Sequence, residues 1–385
     1  MIKELGRKYK DYGIELRREF HKYPEKSMQE TRTSTRIKEE LDSMGVECKI
    51  IDGAGVIGEL KGKMPGKTIA LRADIDALDV NEKNDVDYKS TVEGLMHACG
   101  HDAHTASLLQ AAKILSEMKD DINGTVRFIF QPGEEVALGA KKMIDNGAMK
   151  GVDGVFGIHI WNDLECGKVS VQEGPRMAAG SQFRITIEGK SGHGSMPHQT
   201  VDAIVVASAV IMNLQSYVSR EVSPMDSAVI SVGKINGGTR FNVISGSVEM
   251  EGTARCFTKE LTENFEGDIR RIVNSTAEAY RATAKIDYDT LVYPVINDPV
   301  MAAIGESATS KLFGQDAVSK FPQTTGGEDF SYFMEHSKGA FAFVGAKNLE
   351  KNDYYPHHNE RFSIDEDCIE NSAMLYSQYA IDFLK

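Results

Sequence analysis

The sequence predicts an α/β protein built from two domains, and three observations lead there. Strand and helix patterns alternate from about residue 46 to 161, as in domains with a mostly parallel sheet. From about 182 the order becomes β-α-β-β-α-β, the split βαβ or ferredoxin-like arrangement, and after about 297 the alternation resumes. A chain of 385 residues also exceeds what one hydrophobic core usually serves. The expected division is a discontinuous larger domain, 1–181 with 297–385, and a smaller one, 182–296, set into it.

The first 45 residues read as two helices. The run "TIALRADIDAL" (68–78) reads as a strand that ends in acids. Segment 102–118 carries Ala106, Leu109, Ala112 and Leu115 at helical spacing, with Asp102 expected as N-cap. "TVRFIF" (125–130) is a short buried-type strand stopped by "QPGEE" (131–135); a helix then runs to about Asn146 and Gly147 closes it. "GVFGIHIW" (154–161) is a further strand. In the smaller domain "SQFRITIEG", "SAVISVGKI", "VISGSVEMEGTARCF" and "AKIDYDTLV" read as strands, with helices over 201–219 and 259–281. A helix over 365–384 ends the chain.

The formal net charge of −13 argues against nucleic acid or an anionic membrane as partner, since an acidic field attracts neither. No apolar run approaches the roughly 20 residues of a membrane helix. The charged N-terminus lacks the apolar core of a signal peptide. Five cysteines, odd in number, scattered and without a C-x-x-C pair, point away from a disulfide framework and toward a cytoplasmic location.

Four short segments could carry chemistry. "MHACGHDAHTA" (96–106) supplies Cys99 and His101 in a Gly-containing turn before a helix. Glu134 and Glu135 follow the carboxyl end of a strand, where ligands bind in open α/β sheets. Adjacent carboxylates at a buried strand end call for a cation or a raised pKa. His159 lies among Ile158, Ile160 and Trp161, and His357–His358 precede the last helix. Each has an ordinary reading alone: a small buried cysteine, a solvated acidic loop, a satisfied core histidine, a surface loop. Together they offer Cys, His and Glu from one α/β domain, the donors of a two-metal hydrolase.

The ordered motifs "RADIDAL", "MHACGHDAHTA", "QPGEE", "GIHIW", "SGHGSMPH", "GGTRFNVI", "GGEDFSYF" and "HHNERFSIDED" resemble the aminoacylase/carboxypeptidase G-type metallopeptidase family. The branch is that of N-acyl-amino-acid amidohydrolases, hippurate hydrolases and auxin-conjugate hydrolases. The resemblance implies a zinc-peptidase-like catalytic domain with an inserted ferredoxin-like satellite domain, through which two subunits pair. It implies two divalent metal ions per subunit, Mn or Zn, with Co or Ni as further candidates. Cys99 would bridge them, with Glu135 and His358 on one ion and His101 and His159 on the other. Glu134 would be the general base and His193 would polarise the scissile carbonyl. Asn242 would hold the substrate carboxylate, and Asp74 and Asp102 would orient ligating histidines. The implied substrate is a small N-acyl amino acid. Three departures, Asp79, Gly327 and Glu360, touch loops and no proposed ligand. The rival readings are a metal-independent thiol hydrolase using Cys99 and a non-catalytic binder of amino-acid conjugates. A zinc deaminase is disfavoured because no P-C-x-x-C segment exists.

Overall fold

The computed structural model describes residues 1–351 and 354–385. The chain opens with helices α1 (Ile2–Lys8), α2 (Lys10–Lys22) and α3 (Thr31–Ser43), then strands β1 (Glu47–Ile50), β2 (Val56–Lys61) and β3 (Met64–Asp74). It continues through α4 (His101–Glu117), β4 (Asn123–Gln131), α5 (Gly139–Asp145), β5 (Gly154–Glu165), β6 (Val169–Ser170) and β7 (Gly174–Met177). Next come β8 (Ala179–Glu188), β9 (Gly192–His193), α6 (Ala203–Arg220), β10 (Ala228–Gly237), β11 (Val243–Ile244), β12 (Ser247–Cys256), α7 (Lys259–Ala279) and β13 (Thr283–Val292). The last elements are β14 (Val295–Asn297), α8 (Pro299–Phe313), α9 (Ser331–Met334), β15 (Gly339–Lys347) and α10 (Asp367–Phe383). Two compact units form: Met1–Gly174 with Ile296–Pro322 and Asp329–Lys385, and Pro175–Val295 with Gln323–Glu328.

The first unit holds a seven-stranded sheet in the order β1-β2-β4-β3-β5-β15-β6. Its centre is parallel (β4/β3, β3/β5, β5/β15), whereas β1/β2, β2/β4 and β15/β6 are antiparallel. The sheet is therefore mixed rather than mostly parallel. The cause is connection length: a parallel crossover needs a dozen or more residues. Only Gly62 and Lys63 separate β2 from β3, and only Cys166–Lys168 separate β5 from β6. Strand β5 is buried along its first seven residues, as a central strand covered on both faces must be. The core joins Phe128, Phe156 and Ile158 of the sheet to Leu108 and Leu109 of α4 and Leu375, Tyr376 and Tyr379 of α10.

The N-terminal segment forms three helices instead of two, because α1 and α2 are separated at Tyr9. After "QPGEE", helix α5 starts only at Gly139, and residues 134–137 form a turn with Ala137 at φ 55°. Asp102 does not cap α4. Gly100, at φ 95°, occupies that position, a conformation a side chain disfavours, and Asp102 lies inside the first turn.

The Asp102 carboxylate instead accepts from Arg17 Nε (2.8 Å) and His21 Nδ1 (2.8 Å) of α2. His21 Nε2 donates to Glu82 Oε1 (3.0 Å), so this buried ring donates at both nitrogens. Burial and Arg17 oppose its charge, but the hydrogen bonds to Asp102 and Glu82 outweigh them and raise its pKa. The stabilisation is present below the ordinary value near 6.5 and is lost as pH rises through the raised one. The melting-temperature margin of the wild type over His21→Gln should therefore narrow as pH rises from 6 to 9. A pH-independent margin would contradict the paired imidazolium.

In the second unit a four-stranded antiparallel sheet, in the order β10-β12-β8-β13, packs with α6 and α7. Asp202 and Thr258 cap the two helices. Helix α6 is long and apolar enough to cross a membrane on length and composition. Here Val206, Ala207, Val210 and Leu214 enter the core of this unit, while Ile204, Val205 and Met212 stay exposed.

Candidate metal centre

The donors gather beyond the carboxyl ends of the parallel strands. The turn at Gly100 presents Cys99 and His101 at the start of α4, Glu134 and Glu135 follow β4, and His159 lies within β5. His358, at φ 66°, is fixed by its N–H donating to Ala98 O at 2.8 Å. Cys99 Sγ lies 3.5 Å from His159 Nε2. Glu135 Oε1 lies 3.5 Å from His358 Nε2 and 3.9 Å from His101 Nε2. Among the described residues, three of the five close groups of ligand-type atoms consist of these donors alone, each with its atoms within 4.8 Å of one another: Cys99/His101/His159, Cys99/Glu135/His358 and His101/Glu134/Glu135. Cys99 is common to the first two.

This donor set fits metal ions. Among the described residues His101 Nε2 and Glu135 Oε1 are buried without a hydrogen-bond partner, a costly state for polar atoms unless a cation completes them. Both core histidines are oriented from behind. The other ring nitrogen of His101 donates to Asp76 Oδ1 (3.1 Å) and that of His159 to the Ile160 carbonyl (2.8 Å), which turns each Nε2 inward. Burial and nearby Glu135 push the Cys99 thiol well above its usual range. Burial carries Glu135 up to about 7, against His101 and with Asp76 and Asp74. Burial holds His159 well below its usual value. The neutral His159 imidazole is ready to bind. Against burial, nearby Asp74 raises His101 well above its usual value, so a cation bound here would displace protons from His101, the thiol and the Glu135 carboxyl.

Of the two aspartates expected to orient ligating histidines, neither serves one by a direct hydrogen bond. Asp74 Oδ1 takes the His104 Nδ1 proton (2.6 Å) and Oδ2 binds Arg72 (2.7 Å), leaving His101 Nε2 at 3.8 Å. Asp102 is committed to Arg17 and His21. Asp76 was not foreseen. It holds His101 and also accepts from the Glu135 N–H (3.1 Å) and Ser27 Oγ (2.7 Å). The signal was available: in "RADID" it stands two residues beyond Asp74, the spacing that returns to the same face of an extended chain. His357 is the inner member of its pair, accepting from the Asn162 N–H (3.1 Å) with its ring tilted against those of Trp161 and Phe362.

In the second unit His193 and Asn242 are brought together by a two-stranded ladder. His193 pairs with Val243, and the Gly194 N–H donates to Asn242 O at 2.9 Å. Both side chains are exposed, and Ser195 approaches His193 Nδ1 through its N–H (3.2 Å) and Oγ (2.9 Å).

A mixed α/β sheet with Cys, His and Glu donors gathered at its strand ends defines a metal-dependent hydrolase. Residues 70–382 match Peptidase family M20/M25/M40, and the chain belongs to that family. It is 39% identical to thermostable carboxypeptidase 1 of Saccharolobus solfataricus, over 99% of this chain and 98% of that protein. It is 38% identical to N-acetylcysteine deacetylase of Bacillus subtilis, over 97% of each. The crystal structure of the Bacillus subtilis YXEP protein, described as a dinuclear metal binding peptidase, superposes with a TM-score of 0.87 at 35% identity, covering 98% of this chain and 99% of that one. The resemblance read from the motifs is borne out.

Proposed function

We propose that this protein is a dinuclear metal amidohydrolase that cleaves the amide of N-acyl amino acids, yielding a carboxylate and the free amino acid. The observation that carries the reading is the convergence of Cys99, His101, Glu135, His159 and His358 around two orphaned buried donor atoms. The similarity to a deacetylase of an N-acyl amino acid supports the substrate class. Cys99, Glu135 and His358 would hold one ion and Cys99, His101 and His159 the other, with Cys99 as the shared thiolate; the closeness of their donor atoms supports this division. The proposed ions are Mn or Zn, with Co or Ni as substitutes: thiolate and imidazole favour Zn, Co and Ni on affinity, and Mn would be taken up by availability. When bound, the ions supply Lewis acidity and lower the pKa of water. Glu134 takes the proton of the attacking water and returns it to the leaving nitrogen. His193 donates to the carbonyl oxygen and Asn242 to the substrate carboxylate.

The second unit is read as a ferredoxin-like satellite domain, on its βαββαβ order and sheet order. It is also the proposed homodimer surface, supported by exposed Ile204, Val205 and Met212 on α6 beside the edge strand β10 with exposed Val229 and Ile235. Five free cysteines support a cytoplasmic location.

A panel of acetyl, benzoyl and indolyl amino acids, assayed on metal-defined protein, tests the function. Hydrolysis should vanish on chelation and return with Mn or Zn. Turnover that survives chelation would instead make Cys99 the nucleophile, and binding without turnover would leave a non-catalytic binder. Including dipeptides tests a second reading, carboxypeptidase action, which the 39% identity to a carboxypeptidase favours.

A further inference from the structure

His104 is buried and lies against both core histidines, yet none of the roles above uses it. With Asp74 and His101 it forms a fourth close group of ligand-type atoms. Its hydrogen bonds argue against ligation. The Ile160 N–H can only donate, and it points at His104 Nε2 from 2.8 Å, so that nitrogen is an acceptor. The hydrogen then sits on Nδ1 and goes to Asp74 Oδ1 at 2.6 Å. Neither nitrogen is left for a cation. Asp74 is equally committed, to His104 and to Arg72.

What the ring does is brace its neighbours. It stacks on His101 with centroids 5.4 Å apart and planes at 28°, and it meets His159 edge-on at 4.7 Å and 75°. Ile160 is the hub of the second contact. Its N–H binds His104, and its carbonyl takes the His159 Nδ1 proton. The buried chain Arg72–Asp74–His104–Ile160–His159 thus runs from a fixed guanidinium to the face of the metal centre.

We propose that His104 is a positioning residue of the metal centre, setting the ring planes of His101 and His159 and the inward direction of His159 Nε2 through the Ile160 peptide. The proposal rests on the ligand assignment above. His104→Gln places an amide where Nε2 stood and can keep the Ile160 bond; His104→Leu fills the volume and keeps neither bond. The measurements are Co2+ stoichiometry and affinity by equilibrium dialysis, the visible Co2+ spectrum, and circular dichroism to confirm folding. Both variants should bind two ions per chain. His104→Leu should bind them about 10–100-fold more weakly with a shifted spectrum, and His104→Gln should recover most of the loss. Loss of one ion outright in both variants, or unchanged affinity and spectrum in His104→Leu, overturns the proposal. Should His104→Leu fail to fold, a Gln variant with wild-type spectrum and affinity supports it, and one that loses an ion overturns it. Wild-type protein that takes up no pair of ions, or lacks a thiolate–Co2+ band, fails the ligand assignment itself and is thereby told apart.

Discussion

Glu134→Gln should lower kcat by about 10²–10⁴-fold, the range general-base removal commonly costs, while both metal ions stay bound. The amide matches the carboxylate in size but cannot accept the water's proton. Glu134 donor atoms lie within 4.8 Å of His101 and Glu135, close enough to serve a water held there. The neighbouring Glu135→Gln should behave differently. Glu135 faces His358 and His101 at 3.5 and 3.9 Å, so its loss should appear first as weaker metal binding. Metal content by atomic absorption, measured beside kcat and KM, separates the two. Near-normal turnover with full metal content would remove Glu134 from the role of base.

The donor residues stand out as candidates because Cys, His and paired Glu are scarce in a chain with five cysteines and ten histidines, and because they lie at a strand end, in turns or, for His159, within a buried strand; their separate roles come from the family resemblance. The supporting layer was less legible. Asp102 looked like a helix cap because local spacing is all that sequence offers there. Its partners Arg17 and His21 lie 85 and 81 residues away. Asp74 was visible as an acid at a strand end, but whether its oxygens meet His101 or His104 depends on side-chain direction within one turn of α4.

Strand direction shows the same division. The alternation over 46–161 correctly gave the parallel centre, since long crossovers through α4 and α5 separate β3, β4 and β5. The antiparallel flanks were encoded too, in connections too short for a crossover. Hydrophobic periodicity does not register that length, and so the sheet was expected to be mostly parallel.

Arg72→Met should destabilise the first unit by about 3–5 kcal/mol, the cost of removing one partner from a buried ion pair. Arg72 is fully buried and is the cation between two buried carboxylates. It donates to Asp74 Oδ2 at 2.7 Å, Asp329 Oδ1 at 3.1 Å and Gln131 Oε1 at 2.8 Å. Gln131 Nε2 and the Ala140 N–H complete Asp329 at 2.8 and 3.0 Å. A methionine fills the stem's volume but leaves Asp74 and Asp329 without their guanidinium, and burial then opposes their charge. Arg72→Lys should recover only part of the loss, because a single ammonium cannot reach both carboxylates and Gln131 with the geometry of a planar fork. The chain's one tryptophan, Trp161, lies on β5 of the same unit, so its fluorescence in urea reports this transition apart from the second unit. The shift should fall on the Trp161 transition alone. A loss under 1 kcal/mol, or full recovery by lysine, would mean that Asp74 and Asp329 are held by their other partners and that Arg72 is not the anchor of the buried chain that ends at His159.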